Sequence, residues 1–316
     1  MKLDGNTVFI TGGGSGIGRG LAEAFHKLGN QVIISGRRKG HLADTVQANP
    51  GMHAIELNIE DPASIASAAR EVVAKYPMLN VLINNAGIMH VDDVSGAIDD
   101  AVAVSTVTTN LLGPIRMTSA LVEHLKEQKA SAIINVSSVL GFVPLAVAAV
   151  YSSTKAALHS YSQSLRYKLA GSPARALELA PPWVQTDLLN SSNEPRAMPL
   201  AEFIDETIKV LGSVLRLENP IRSLNRVRWF PPGNKAVVSV YHRTVLPQTW
   251  AEHVHRGTGY VPKLSVIGSL TLLYSCSQTA LTKGRLRGFV NSSEATRSSD
   301  DLHMRVARQV TLKSTL

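Results

Sequence analysis

Between residues 7 and 182, short unbroken apolar runs alternate with stretches of ten or more residues patterned for helix. "TVFI" (7–10), "QVIIS" (31–35), "HAIELN" (53–58), "VLINN" (81–85), "SAIINVSS" (131–138) and "ARALELAPP" (174–182) read as strands. Helices are expected after the loop at 11–18, over 38–47, 62–75, around 100–127, through 149–165, and over 199–212. Strands with no polar alternation are buried on both faces, and an intervening helix makes consecutive strands parallel. The pattern therefore dictates an α/β, doubly wound parallel sheet. A chain of 316 residues, 44% of them hydrophobic, is long enough to bury such a core.

The alternation stops near residue 213, and so does the charge balance. Residues 1–215 hold 17 Lys+Arg against 19 Asp+Glu, a net of −2, whereas 216–316 hold 15 against 5, a net of +10. The overall charge of +8 thus belongs to the last third. We expect a folded domain over 1–212 and a basic, atypical, poorly ordered C-terminal extension over 213–316, with "AVVSVYH" (236–242) as a candidate strand. Two origins fit the extension: a shifted reading frame or read-through, or an appended module that binds an anionic partner. Nucleic acid is not expected as a partner beyond nonspecific attraction to this tail. Nor is a membrane, since "LSVIGSLTLLYSC" from Leu264 is too short and polar to span one, and the first residues lack a signal-peptide pattern. A lone cysteine, Cys276, excludes an internal disulfide framework and favours a reducing, cytoplasmic setting. No histidine falls at metal-ligand spacing, and no metal is expected.

"TGGGSGIG" (11–18) joins the first strand to the first helix. A glycine loop there turns backbone N–H groups and a helix N-terminus toward an anion. Gly12 permits the tight turn, Gly16 lets a pyrophosphate approach, and Gly18 lets helix and strand pack closely; Ser15 and Ile17 complete the candidate loop. A plain turn also uses glycines, but the strand–turn–helix context favours a nucleotide. After the second strand comes "SGRRKG" (35–40), with Gly36 where an acid would bind a ribose 2′-OH, then Arg37 and Arg38. Arginine accommodates a 2′-phosphate, which favours NADP over NAD; the alternative is a solvated basic turn. Asn58 and Ile59 follow the third strand, where an adenine edge and face would lie.

In "AVYSSTKAALHSYSQSL" (149–165), Tyr151 and Lys155 are one helical turn apart and project side by side. The pair is either an ordinary surface contact or an acid–base device. A tyrosine ionises near pH ~10, and a neighbouring ammonium stabilises the phenolate and lowers that value. Pro114 lies four residues after Asn110 inside the long helix. Proline has no N–H, so the Asn110 carbonyl loses its helical partner and the helix should bend. A freed carbonyl in a dry interior takes an ordered water, unless the kink serves packing alone.

Over residues 1–212 these features resemble the short-chain dehydrogenase/reductase family, and the opening is most similar to its bacterial DltE-type oxidoreductases. TGxxxGxG matches Thr11, Gly12, Gly16 and Gly18; NNAG matches Asn84, Asn85, Ala86 and Gly87; a serine thirteen residues before the tyrosine is Ser138; YxxxK is Tyr151 with Lys155; the helix asparagine is Asn110. The resemblance implies a Rossmann fold with strand order 3-2-1-4-5-6 and an NAD(P)-dependent oxidoreductase acting on CH–OH groups. It implies Tyr151 as general acid/base and Ser138 as the hydrogen-bond partner of the substrate oxygen. Lys155 would hold the nicotinamide ribose and tune the phenol, with Asn110 linked to it through a water in a proton relay. Asn85, Ala86, Gly87, Pro181, Val184 and Thr186 would contact the cofactor. Pro181–Pro182 departs from the family's Pro-Gly and stiffens that loop. A homodimer is implied as well, and the stripe Leu158, Tyr161, Leu165, Leu169 reads as a packed helix face.

Met89, Phe142, Val143, Pro144, Val147, Trp183, Leu188 and Leu189 are candidate pocket walls, and their mostly apolar character points to a hydrophobic carbonyl or alcohol substrate. His90 either lines that cleft or is a solvated loop residue. The function read from the sequence is hydride transfer between a nicotinamide cofactor, NADPH favoured, and such a substrate. Two alternatives are a nucleotide-binding protein with little catalysis and a core inactivated by its altered end.

Overall fold

Six strands, β1 (Thr7–Thr11), β2 (Gln31–Gly36), β3 (His53–Glu56), β4 (Leu79–Asn84), β5 (Ser131–Val136) and β6 (Ala174–Leu179), alternate with helices. The helices are α1 (Gly16–Lys27), α2 (Lys39–Ala48), α3 (Pro62–Lys75), α4 (Asp100–Val107), α5 (Gly113–Glu127), α6 (Ala149–Lys168) and α7 (Leu200–Arg216). They are seen in a computed structural model that describes residues 2–216. The strands form one parallel sheet in the order β3-β2-β1-β4-β5-β6, as expected. Chain order reverses between β1 and β4, and sheets of this kind bind ligands in the crevice beyond the carboxyl ends of those strands.

Successive side chains of β1 serve opposite faces, and both faces are dry. Val8 and Ile10 join Leu21 and Phe25 of α1, Leu42 of α2, and Phe203 and Leu211 of α7. Phe9 belongs to the other core, with Ile65 and Val72 of α3 and Met117, Leu121 and Leu125 of α5. On α1 the buried positions Gly18, Leu21, Ala22 and Phe25 recur at three- and four-residue spacing, which makes one apolar stripe. Asp61 caps α3 by accepting from the Ala63 N–H, and Pro62 fills the first helical position, where no N–H is needed. The expected stripe on α6 is packed: Leu158 and Leu169 are buried, and Leu165 lies against the second core.

Several elements depart in detail from expectation. The long helix at 100–127 is broken by a π-helical turn, Thr108–Leu112, between α4 and α5. The break is where Pro114 removes a donor, so the lost bond is accommodated by a wider turn. β5 and β6 stop at Val136 and Leu179, short of the expected ends, and leave Ser138 and Pro181 in loops above the sheet. α7 runs past 212 to Arg216, with Val214 and Leu215 buried and their carbonyls accepting from the Arg175 guanidinium at 3.2 and 3.3 Å. The division expected at 212 therefore falls inside a helix. The expectations for 217–316, including the strand at 236–242, lie outside the described residues. Among the described residues, no helix is long and apolar enough to cross a membrane.

Candidate active site

The glycine loop and the start of α1 lie at the carboxyl end of β1. Gly12 has φ +68°, and a Cβ on it would come within 2.9 Å of the Ala86 Cα. A Cβ on Gly18 would come within 2.2 Å of the Gly12 carbonyl oxygen. Only glycine fits at either position. Thr11 Oγ1 accepts from the N–H groups of Asn85 and Ala86 at 3.0 and 3.1 Å. Asn85 Nδ2 donates back to the carbonyls of Thr11 and Gly12. The Asn85 side chain thus braces the loop against the end of β4. The first turn of α1 carries no acid, and its N-cap Ser15 makes no side-chain cap bond, so the helix presents its N–H groups to an anion. Gly16, with φ +52°, faces Thr186 across this opening, and Ile17 packs on the core behind it. The cradle fits a pyrophosphate.

Cations gather where β2 ends. Arg38 Nη2 donates to Ser15 Oγ at 2.7 Å, so it reaches over the loop itself. Arg37 is paired with Glu60 at 3.0 Å and Lys39 with Glu56 at 3.0 Å; these exposed pairs are weak enough to be exchanged for a stronger anion. Asn58 is exposed, and its Oδ1 accepts from the Glu60 N–H. Ile59 is buried, and Gly113 lies so close that a Cβ there would meet its Cγ1 at 2.6 Å. Its side chain belongs to the second core.

The groups beyond β4, β5 and α6 converge. Asn110, fully buried in the π-helical turn, accepts from the Ile88 N–H at 2.9 Å and donates to the Ile88 carbonyl at 2.8 Å. It also donates to Thr154 Oγ1 of α6 at 3.3 Å. Lys155 Nζ donates to the Val136 carbonyl at 3.0 Å and lies 5.4 Å from the centre of the Tyr151 ring. A Cβ on Gly87 would come within 3.4 Å of Asn110 Oδ1 and 3.6 Å of Lys155 Nζ, so all three meet at one point. The Tyr151 phenol is hydrogen-bonded to Ser138. Burial pushes that phenol up to about 12, with the Ser138 hydrogen bond pulling it the other way. The lowering expected from Lys155 is not seen: burial dominates, and the opposing pull comes from Ser138. Burial pulls Lys155 itself down to about 8, against the negative charge of Glu178.

Asp92 escaped the sequence reading. Its carboxylate accepts from the N–H groups of Ala149 and Val150, both at 2.9 Å, and so caps the first turn of α6 next to Tyr151. Its own N–H donates to the Val147 carbonyl. The loop after NNAG is thereby fastened to the helix that carries the tyrosine and lysine. Only the type of residue, an acid near the end of that loop, was visible beforehand. Of the expected walls, Val143, Val147, Trp183, Leu188 and Leu189 present apolar surface, and Met89 is half-buried. Phe142 instead meets His159 edge-on. Leu189 and Asn190 hold left-handed conformations, φ 52° and 53°, uncommon outside glycine. Val184 is buried and bridged to Met198, the Pro181 carbonyl accepts from the Val139 N–H, and His90 is exposed.

Comparison with known proteins agrees with this geometry. The family model described as short chain dehydrogenase matches residues 6–197. An uncharacterized oxidoreductase, DltE of Bacillus subtilis, is 39% identical over 199 residues, which cover 63% of this chain and 79% of that protein. The 3-oxoacyl-[acyl-carrier-protein] reductase FabG of Salmonella typhimurium is 30% identical over 206 residues, 64% of this chain and 83% of its own. A crystal structure of 3-ketoacyl-(acyl-carrier-protein) reductase from Brucella melitensis, complexed with NADH, superposes with a TM-score of 0.63 at 26% identity, covering 69% of this chain and 93% of that one.

Proposed function

Since this chain belongs to the short-chain dehydrogenase family and is a nicotinamide-dependent oxidoreductase, we propose that it interconverts hydrophobic carbonyl compounds and alcohols with NADPH as preferred cofactor. The observation that carries the reading is the buried Tyr151 phenol, bonded to Ser138 and beside Lys155, at the carboxyl end of the sheet next to a glycine cradle. Preference for NADPH rests on Arg38 over the loop and Arg37 beside it, with no acid at Gly36. Preference for apolar substrates rests on the exposed Val143, Val147, Trp183 and Leu189, and the oxoacyl substrates named for two relatives are of that kind.

Gly12, Ser15, Gly16 and Gly18 would hold the pyrophosphate, and Ala86, Gly87, Pro181, Val184, Thr186 and Lys155 the nicotinamide half. When bound, the nicotinamide supplies the hydride in reduction and takes it in oxidation. A phenol held near 12 keeps its proton at neutral pH and releases it only to a strong base, such as an oxygen gaining negative charge. Ser138 shares a hydrogen bond with that phenol and orients and polarises the same oxygen. The Lys155 ammonium makes the phenolate left behind less costly. The Asn110 carbonyl, freed by Pro114, takes a water that returns the proton through Lys155. The protein acts in the cytoplasm as a homodimer; Val104 and Val107, exposed on α4, supply unpartnered apolar surface for the second copy.

The test is a panel of ketones, aldehydes and oxoacyl thioesters assayed with NADPH and with NADH. In Tyr151→Phe, loss of the general acid should lower turnover by at least ~10²-fold while NADPH affinity, read by fluorescence, stays near wild type. A fully active Tyr151→Phe would overturn the assignment.

A further inference from the structure

A carboxylate is costly to bury, and one with no exposed surface persists only where donors and cations meet it. Glu178, near the end of β6, is such a group. Its Oε1 accepts from Ser137 Oγ at 2.5 Å, and its Oε2 accepts from His159 Nδ1 at 2.7 Å. On the far side of the ring, His159 Nε2 meets the side-chain amide nitrogen of Gln163. The negative charge of Glu178 acts on the cations of α6, Lys155 and Arg166. Arg175, the one cation of β6, is turned to the carbonyls of α7.

This cluster lies directly behind the reacting groups. Ser137 separates Val136, whose carbonyl accepts from Lys155 Nζ, and Ser138, which is bonded to the phenol. His159 follows Lys155 by one turn of α6. Gly141 approaches the same helix so closely that a Cβ there would lie 2.9 Å from the Lys155 carbonyl carbon and oxygen. Glu178 thus links the segment carrying Ser138 to the helix carrying Tyr151 and Lys155.

We propose that Glu178, clamped by Ser137 and His159, is a positioning residue for hydride transfer: the fixed counter-charge of the Lys155 ammonium and the tie that sets Ser138 against Tyr151. The proposal rests on the roles given to Tyr151 and Lys155 above and assigns work to two residues, Glu178 and His159, that touch neither substrate nor cofactor. Desolvation alone would drive the lysine further toward its neutral form, and the carboxylate opposes it.

Reduction needs Lys155 charged, so activity falls as pH rises through its ionisation. Glu178→Gln keeps the shape and removes the charge, which should move the alkaline limb of the kcat/KM profile to lower pH by about one unit. Glu178→Asp keeps the charge and should return the limb toward wild type. A folded Glu178→Gln with the wild-type limb overturns the proposal. If that variant does not fold, His159→Leu, at a partly buried position, carries the test. Loss of the His159 clamp should lower kcat with NADPH affinity unchanged, and wild-type kcat in folded His159→Leu is again fatal. A wild-type enzyme that reduces no carbonyl would count against the proposed function, not against this inference. In that event, NMR of the Lys155 side-chain nitrogen follows its ionisation without turnover and should titrate lower in Glu178→Gln than in wild type.

Discussion

Arg38 and Arg37 differ in how ready they are for a phosphate. Arg38 already reaches the glycine loop through Ser15, whereas Arg37 must give up Glu60. A charge-assisted contact of this kind contributes about 1.5–3 kcal/mol, or roughly tenfold to a hundredfold in affinity. Arg38→Ala should therefore raise the KM for NADPH by about that factor and the KM for NADH much less. Arg37→Ala should show a smaller effect of the same sign. Equal changes for the two cofactors would remove the phosphate reading. The residues legible in the sequence are those whose meaning is local: Tyr151 and Lys155 share a turn, and Gly12 and Gly18 share a loop. Glu178 and His159 were not legible, since their partners come from a strand and a helix brought together only by folding. The burial of Ile59 escaped for the same reason, because Gly113, which it packs against, is remote in sequence. So did the ionisation of Tyr151: a sequence displays a neighbouring ammonium but not the depth at which a phenol is buried.

Among the elements, α6 carries the chemistry, and it begins with no side-chain cap of its own. Asp92 supplies the cap from another loop, meeting two of the four N–H groups that a helix start leaves open. A carboxylate there also opposes the positive end of the helix dipole. Replacing Asp92 by Ala should cost about 1–2 kcal/mol, a fall of several degrees in Tm for a domain of this size. It should also lower kcat, because Tyr151 and the pocket loop lose their common anchor. Asp92→Asn keeps an acceptor and should lie between. Wild-type melting and turnover in Asp92→Ala would show that the cap positions nothing. Element order and type were readable from the alternation of apolar runs, and the interruption at Pro114 from the missing N–H. That the interruption takes the form of a π-helical turn depends on what Asn110 must reach, namely Ile88 and Thr154, which no local pattern encodes.

For the whole molecule, the question is where the working unit ends. Every residue assigned to the site lies between Thr11 and Leu189, but the core is closed by α7, whose last turn buries Val214 and Leu215 and seats Arg175. Ending the chain after residue 212 exposes that seam. Two buried aliphatic side chains contribute roughly 1.5–3 kcal/mol each, enough to threaten a marginally stable fold. Ending it after 216 leaves the seam closed. The 1–216 protein should keep the carbonyl activity of the full chain, melt cooperatively and sediment as a dimer, whereas 1–212 should melt lower or fail to accumulate. Charge separates the parts further, because 1–215 has a net of −2 and 216–316 a net of +10. Retention of the full chain on heparin should fall steeply with salt and vanish in 1–216. Activity lost together with that retention would mean that the basic region serves the site after all; activity kept would place the chemistry wholly within the doubly wound unit.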